Sequence, residues 1–166
     1  MPQSTSFFRF RSIIALFLLF GSCQLANGQQ EVPETSLEKK LTSILTRQVA
    51  DWNSGNIDGF MTAYWNSEEL SFSSGGKTTR GWKATQDGYE KRYPSPEPMG
   101  KLTFSKLAVS ELGKDAALVL GNWRLKRTDD SPGGNFSLVF RKMKDRWVIV
   151  HDHTSLLKEP DVETAE

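Results

Sequence analysis

Cysteine occurs once in the 166 residues, as Cys23, so no disulfide can form within the chain and its stability must come from packing. Long apolar runs are missing too: the longest, residues 13–20, has eight residues, too few to span a bilayer. Neither sign of charge dominates, with 21 Lys and Arg against 20 Asp and Glu, and this balance argues against nucleic acid as a partner. No G-x-S-x-G elbow is present, and neither Gly75-Gly76 nor Gly133-Gly134 leads into a helix with a lysine at P-loop spacing, so both pairs read as turn glycines. What remains is 37% hydrophobic and 11% aromatic, enough for one well-packed core and one domain.

The start of the chain reads as a secretory signal. Arg9 and Arg11 precede the apolar run, and Ala26-Asn27-Gly28 places small residues at the −3 and −1 positions of a cut before Gln29. Residues 1–28 are therefore expected to be a signal peptide and the protein to be secreted or periplasmic. The alternative is Gly21-Ser22-Cys23, which looks like a lipobox and would leave a lipid anchor at Cys23 on the cell envelope. A chain cut before Gln29 keeps 19 basic residues against 20 acidic ones, a net charge of −1. Residues 29–34 read as a flexible leader and 158–166 as a disordered acidic tail, leaving 35–157 as the folded domain.

Within that domain Thr35 and Glu38 form a capping box, followed by Leu37, Leu41, Ile44, Leu45, Val49 and Trp52 at helical spacing and a stop at Asn53-Ser54-Gly55. A second, short helix carries Ile57, Phe60, Met61 and Tyr64 and ends near Trp65, and a strand follows at 70–74. Trp82, Gln86, Tyr89 and Tyr93 repeat at three or four residues, a third helix closed by the proline-rich 94–98. Beyond Lys101 the period changes to two in four runs, 102–112, 116–127, 135–142 and 147–156, separated by turn residues. The basic residues Arg141, Lys142, Lys144 and Arg146 flank the last of these turns with Asp145 among them and read as a solvated turn. Helices segregated from an antiparallel meander predict an α+β domain with helices on one face of the sheet.

The strings Gly59-Phe60-Met61, Tyr64-Trp65, Arg80-Gly81-Trp82, Met99-Gly100-Lys101-Leu102, Gly121-Asn122-Trp123, Gly133-Gly134-Asn135-Phe136 and W-V-I-V-H-D-H-T-S over 147–155 resemble the exported SnoaL-like members of the nuclear transport factor 2-like superfamily. The resemblance covers residues 37–155. It implies a cone-shaped, cystatin-like fold, three N-terminal helices on a curved, mainly antiparallel sheet, around an apolar pocket. The 147–155 string, with Gly113-Lys114-Asp115-Ala116-Ala117, is also similar to the association domain of calcium/calmodulin-dependent protein kinase II. The three pocket arginines of that domain correspond here to Trp123, Leu138 and Thr154, so its cation cluster is absent. Proteins of this fold include isomerases, cyclases, dehydratases, transport factors and assembly hubs, so the likeness speaks to architecture more than to chemistry.

Period-two counting from Trp123, Leu138 and Thr154 adds Gly121, Leu125, Phe136, Phe140 and Asp152 to the expected pocket, and the helices contribute Tyr64, Trp65, Trp82 and Tyr89. Asp152, placed inward by the resemblance, is the one candidate acid or base, since a carboxyl in an aromatic pocket is desolvated and held protonated to higher pH. Ketosteroid isomerase, on the same fold, uses a tyrosine and two aspartates in this manner. Here the early strand offers only Ser71 and Ser73 on the expected inner side. His151 and His153 share the opposite face, and a metal there would need another ligand, for which nothing marks Glu111. They read instead as a hydrogen-bonded or interface pair, and no metal or cofactor is expected. With Trp147 and Ile149 they form an alternating outer patch suited to a homodimer, although the last strand is apolar on both faces and alternation alone leaves its inner side open. The expected function is binding of a small apolar molecule with one polar end at Asp152 or Thr154. The alternatives are an isomerase- or dehydratase-type enzyme using Asp152, and a dimeric assembly module.

Overall fold

A computed structural model describes residues 35–157. The signal, the Cys23 anchor, the leader and the acidic tail lie outside the described residues. Helix α1 (Ser36–Asn53) starts on the expected capping box, with the Thr35 hydroxyl accepting from the Glu38 amide at 3.1 Å and the Glu38 carboxylate accepting from the Thr35 amide at 3.4 Å. Its buried stripe, Leu41, Leu45, Gln48 and Trp52, recurs at three and four residues and faces the sheet core. Helix α2 (Ile57–Met61) is one turn long, capped by Asn56, and helix α3 (Trp82–Arg92) follows a short hairpin. No helix among the described residues is long and apolar enough to cross a membrane.

The hairpin is β1 (Ser71–Ser74) with β2 (Lys77–Arg80), where a single early strand was expected, so the helices do not form one N-terminal block. The polar string Lys77-Thr78-Thr79-Arg80 carries no apolar alternation and is legible as a strand only from its pairing at the sheet edge. Strands β3 (Lys101–Gly113), β4 (Ala116–Lys126), β5 (Gly133–Met143) and β6 (Arg146–Thr154) form the antiparallel meander. The sheet order is β2-β1-β6-β5-β4-β3, and β1 runs parallel to β6, which makes the sheet mixed.

One irregularity decides which side chains face the helices. Val139 pairs with His151 but Phe140 pairs with Ile149, so Val150 is an inserted residue, a bulge in β6. The bulge reverses the alternation: Trp147 and Ile149 before it point to the same side as Asp152 and Thr154 after it. Trp147 and Ile149 are therefore core residues, Ile149 with no exposed surface, and the expected outer patch keeps only His151 and His153.

Candidate functional site

Segment 63–65, just after α2, docks on the edge of β6 where β1 does not reach. The Ile149 amide donates to the Ala63 carbonyl and the Trp65 amide to the Ile149 carbonyl, both at 2.9 Å. These bonds fix Tyr64 with its ring inward, and its hydroxyl donates to Asp152 Oδ2 at 2.7 Å. Thr154, the next inward residue of β6, donates to the other carboxylate oxygen, Oδ1, at 3.0 Å. The parallel register sets Phe72 beside Asp152 and Ser74 beside Thr154, so the inward residues of β1 are Phe72 and Ser74 rather than Ser71 and Ser73. At the opposite end Asn53 clamps the end of α1 to β3, accepting from the Leu102 amide at 2.7 Å and donating to the Leu102 carbonyl at 3.1 Å.

Between the sheet and the helices lies a cavity of about 200 Å³. Its helical wall is a set of edge-to-face rings, Trp52–Phe60 at 5.1 Å and Phe60–Tyr89 at 5.2 Å, joined to the sheet by Phe72–Tyr89 at 5.8 Å, and its sheet wall includes Phe104–Phe136 at 5.0 Å. Buried polar groups in the lining are few: Asp152, Gln48, whose amide donates to the Phe60 carbonyl at 3.4 Å, and Thr85, bonded to the Gly81 carbonyl. Arg92, exposed at the end of α3, is the cation on the rim.

Burial pushes the Asp152 carboxyl up to about 6, against the hydrogen bonds from Tyr64 and Thr154 and the nearby His153 imidazole, which pull it down. Burial also lifts the Tyr64 phenol well above its ordinary value, with the Asp152 charge acting in the same direction. Tyr89 is raised for the same two reasons. The site thus offers a carboxyl that gains or loses its proton near neutrality, beside two phenols that stay neutral, of which Tyr64 donates a hydrogen bond to it.

Of the residues expected around a pocket, Tyr64, Tyr89, Trp123, Leu125, Phe136, Leu138, Asp152 and Thr154 line this cavity. Four do not. Phe140 is fully buried beside its cross-strand partner Ile149, at the end of the sheet that segment 63–65 closes. Trp82 turns away and donates its indole N–H to the Met61 carbonyl at 3.1 Å, while Trp65 is half-buried beside β6. Gly121 faces inward, but the Phe136 ring lies in the space a Cβ would need, so the ring and not the glycine meets the cavity. Sequence reasoning missed Trp52, Phe60, Phe72, Tyr93 and Phe104 as lining residues. Trp52 and Tyr93 stand on the apolar helical stripes that the sequence shows, whereas Phe72 lies on the face of β1 opposite to the expected inner one.

On the outer face, Ser71 Oγ lies 2.7 Å from His151 Nδ1. Partial burial and the neighbouring His153 hold the His151 imidazole below its ordinary range. No group of three metal-donor side chains occurs among the described residues.

Residues 41–159 match the SnoaL-like domain. The crystal structure of an NTF-2 like protein of unknown function from Shewanella oneidensis MR-1 is 41% identical, covering 70% of this chain and 97% of its own, with a TM-score of 0.69. A nuclear transport factor 2-like superfamily protein from Salmonella enterica is 20% identical over 77% of this chain and 96% of its own, with a TM-score of 0.58. A putative calcium/calmodulin dependent protein kinase II association domain from Xanthomonas campestris is 14% identical over 78% and 94%, with a TM-score of 0.60. No curated protein matches the chain.

Proposed function

The chain belongs to the SnoaL-like domain family and has the nuclear transport factor 2-like, cystatin-like fold, and from that premise we propose that it is an exported binder of a small apolar molecule with one polar end. The observation that carries this reading is the buried Asp152, bonded by Tyr64 and Thr154, in a cavity whose other walls are mostly aromatic and aliphatic. A space of about 200 Å³ suits a compact ligand, on the order of ten non-hydrogen atoms by comparison with the volume of liquid water. Its hydroxyl or carbonyl would meet Asp152 or Thr154, and its ring or chain would lie against Trp52, Trp123 and Phe136.

A second reading, an isomerase- or dehydratase-type enzyme, is favoured by one observation: the Asp152 carboxyl titrates near the pH at which a general acid or base works best, and Tyr64 stands beside it as a neutral donor. The binder reading leads because Asp152 is the one carboxylate lining the cavity among the described residues, and the inward residues of β1, Phe72 and Ser74, supply no second acid or base.

Two cavity tryptophans, Trp52 and Trp123, give the test. A panel of small cyclic ketones, phenols and alcohols should contain compounds that shift tryptophan emission saturably. Asp152→Asn should leave that binding within about 1 kcal/mol, the net value of one hydrogen bond, if the protein is a binder. Loss of turnover with binding retained would establish the enzyme reading, and no response from any compound would contradict both. Dimerisation through the outer sheet face is the third part of the proposal. Across β4, β5 and β6 that face carries the rows Leu118–Val139–His151 and Leu120–Ser137–His153, with Leu120 45% exposed. Sedimentation at micromolar concentration should show a dimer that Leu120→Asp dissociates, and a wild-type monomer would reject it.

A further inference from the structure

Two basic sets distant in sequence meet along one side of α1. Lys39, Lys40 and Arg47 project from the helix, and Arg146, at the start of β6, reaches across to donate to the Thr62 carbonyl at 3.4 Å. Together they line a groove of about 580 Å³ in which only Gln48 is shared with the Asp152 cavity. Among the described residues, the one carboxylate in its wall is Asp145. The ion pairs among the described residues, Lys83–Asp87, Lys114–Asp115 and Arg127–Asp130, all lie elsewhere. Among the described residues, four cations against one anion around this concavity leave an excess of three positive charges, where the whole chain nets +1. A concave wall of one sign focuses the field and concentrates counter-ions.

The spacing narrows what fits. Lys40 and Arg47 are seven residues apart on one helix, about 10 Å along its axis at the standard rise. Arg146 faces them from the opposite wall, and Ser43 adds a hydroxyl between them. A single small anion would use one end of such a groove, whereas a molecule with several phosphate groups would engage both walls. Guanidinium groups bind phosphate through paired donors, which suits Arg47 and Arg146 to that role.

We propose that this groove is an anion site that takes a phosphate-bearing polyanion lying along α1. The phosphates come either from a soluble phosphorylated molecule or from phospholipid headgroups. The test uses the purified protein with linear polyphosphate in calorimetry and with phosphatidylglycerol vesicles in co-sedimentation. At low ionic strength at least one probe should bind, with affinity falling as salt rises. Arg47→Ala and Arg146→Ala should each weaken binding about tenfold. Both side chains are exposed, so neither change threatens the fold. Lys77→Ala, which removes an exposed cation from β2, should change nothing. Asp152→Asn should also leave this binding intact, which separates the proposal from the reading of the cavity. Binding of polyphosphate but not vesicles identifies a soluble ligand, and binding of vesicles identifies a headgroup surface. Failure of both probes, or equal loss in Lys77→Ala and Arg47→Ala, would overturn the site.

Discussion

Replacing Asp152 with Asn keeps the shape of the side chain and removes its ionisation, so it isolates the cost of a charge at the base of the cavity. In the folded protein this carboxyl titrates at about 6, against an ordinary 3.8. The folded state therefore holds the proton more tightly than the unfolded chain. The stabilising effect of the neutral carboxyl is complete below the unfolded value and is lost as pH rises through the folded one. The gap between the two values corresponds to about 3 kcal/mol once both states are ionised. Asn has no such dependence, and the other titrating groups are common to both proteins. Urea unfolding of each at about pH 4 and about pH 7.5 should therefore show the variant gaining on the wild type by about 2 to 3 kcal/mol between the two conditions. Parallel pH profiles would refute the reasoning, because they would mean that Asp152 ionises as easily in the fold as in the unfolded chain.

Tyr64→Phe removes the stronger donor to Asp152; the carboxyl should titrate still higher, read by carbon NMR, and stability at neutral pH should fall by about 1 to 3 kcal/mol as the acceptor loses its partner. Ile149→Ala should cost about 2 to 5 kcal/mol in urea unfolding, as expected of a fully buried side chain, whereas an outer-face position would change stability by less than about 0.5 kcal/mol. Gly134→Ala should destabilise by about 1 to 3 kcal/mol, because the Ser155 carbonyl occupies the place of the new methyl group. The same change should alter the near-ultraviolet dichroism of Trp123, whose indole donates to that carbonyl at 3.1 Å.

Helices were legible because their signals are local. The Thr35–Glu38 box and the Leu41, Leu45, Trp52 stripe determine α1 without reference to anything distant. The meander was legible for the same reason, as four period-two runs with turn residues between them. What failed depended on contacts between distant segments. The bulge at Val150 has no glycine or proline to mark it, and counting by two carries every residue before it to the wrong face, so the alternation alone puts Trp147 and Ile149 outward. Gly133-Gly134 read as a turn but begins β5, where Gly134 is required by the close approach of Ser155 and not by a bend in the chain. Tyr64 is legible as a pocket residue, yet its bond to Asp152 depends on the docking of segment 63–65 against Ile149, a contact spanning more than eighty residues.

Whether the Asp152 cavity takes a small molecule is tested most directly by native mass spectrometry of the purified wild-type protein beside Thr154→Trp, in which an indole fills the space next to Asp152. The wild type should carry a small-molecule adduct, acquired during expression or from the panel of small cyclic compounds, that is absent from the variant while both retain the same folded charge-state envelope. An adduct of equal occupancy on both proteins, or a wild type that takes up no compound at all, would contradict small-molecule binding in this cavity.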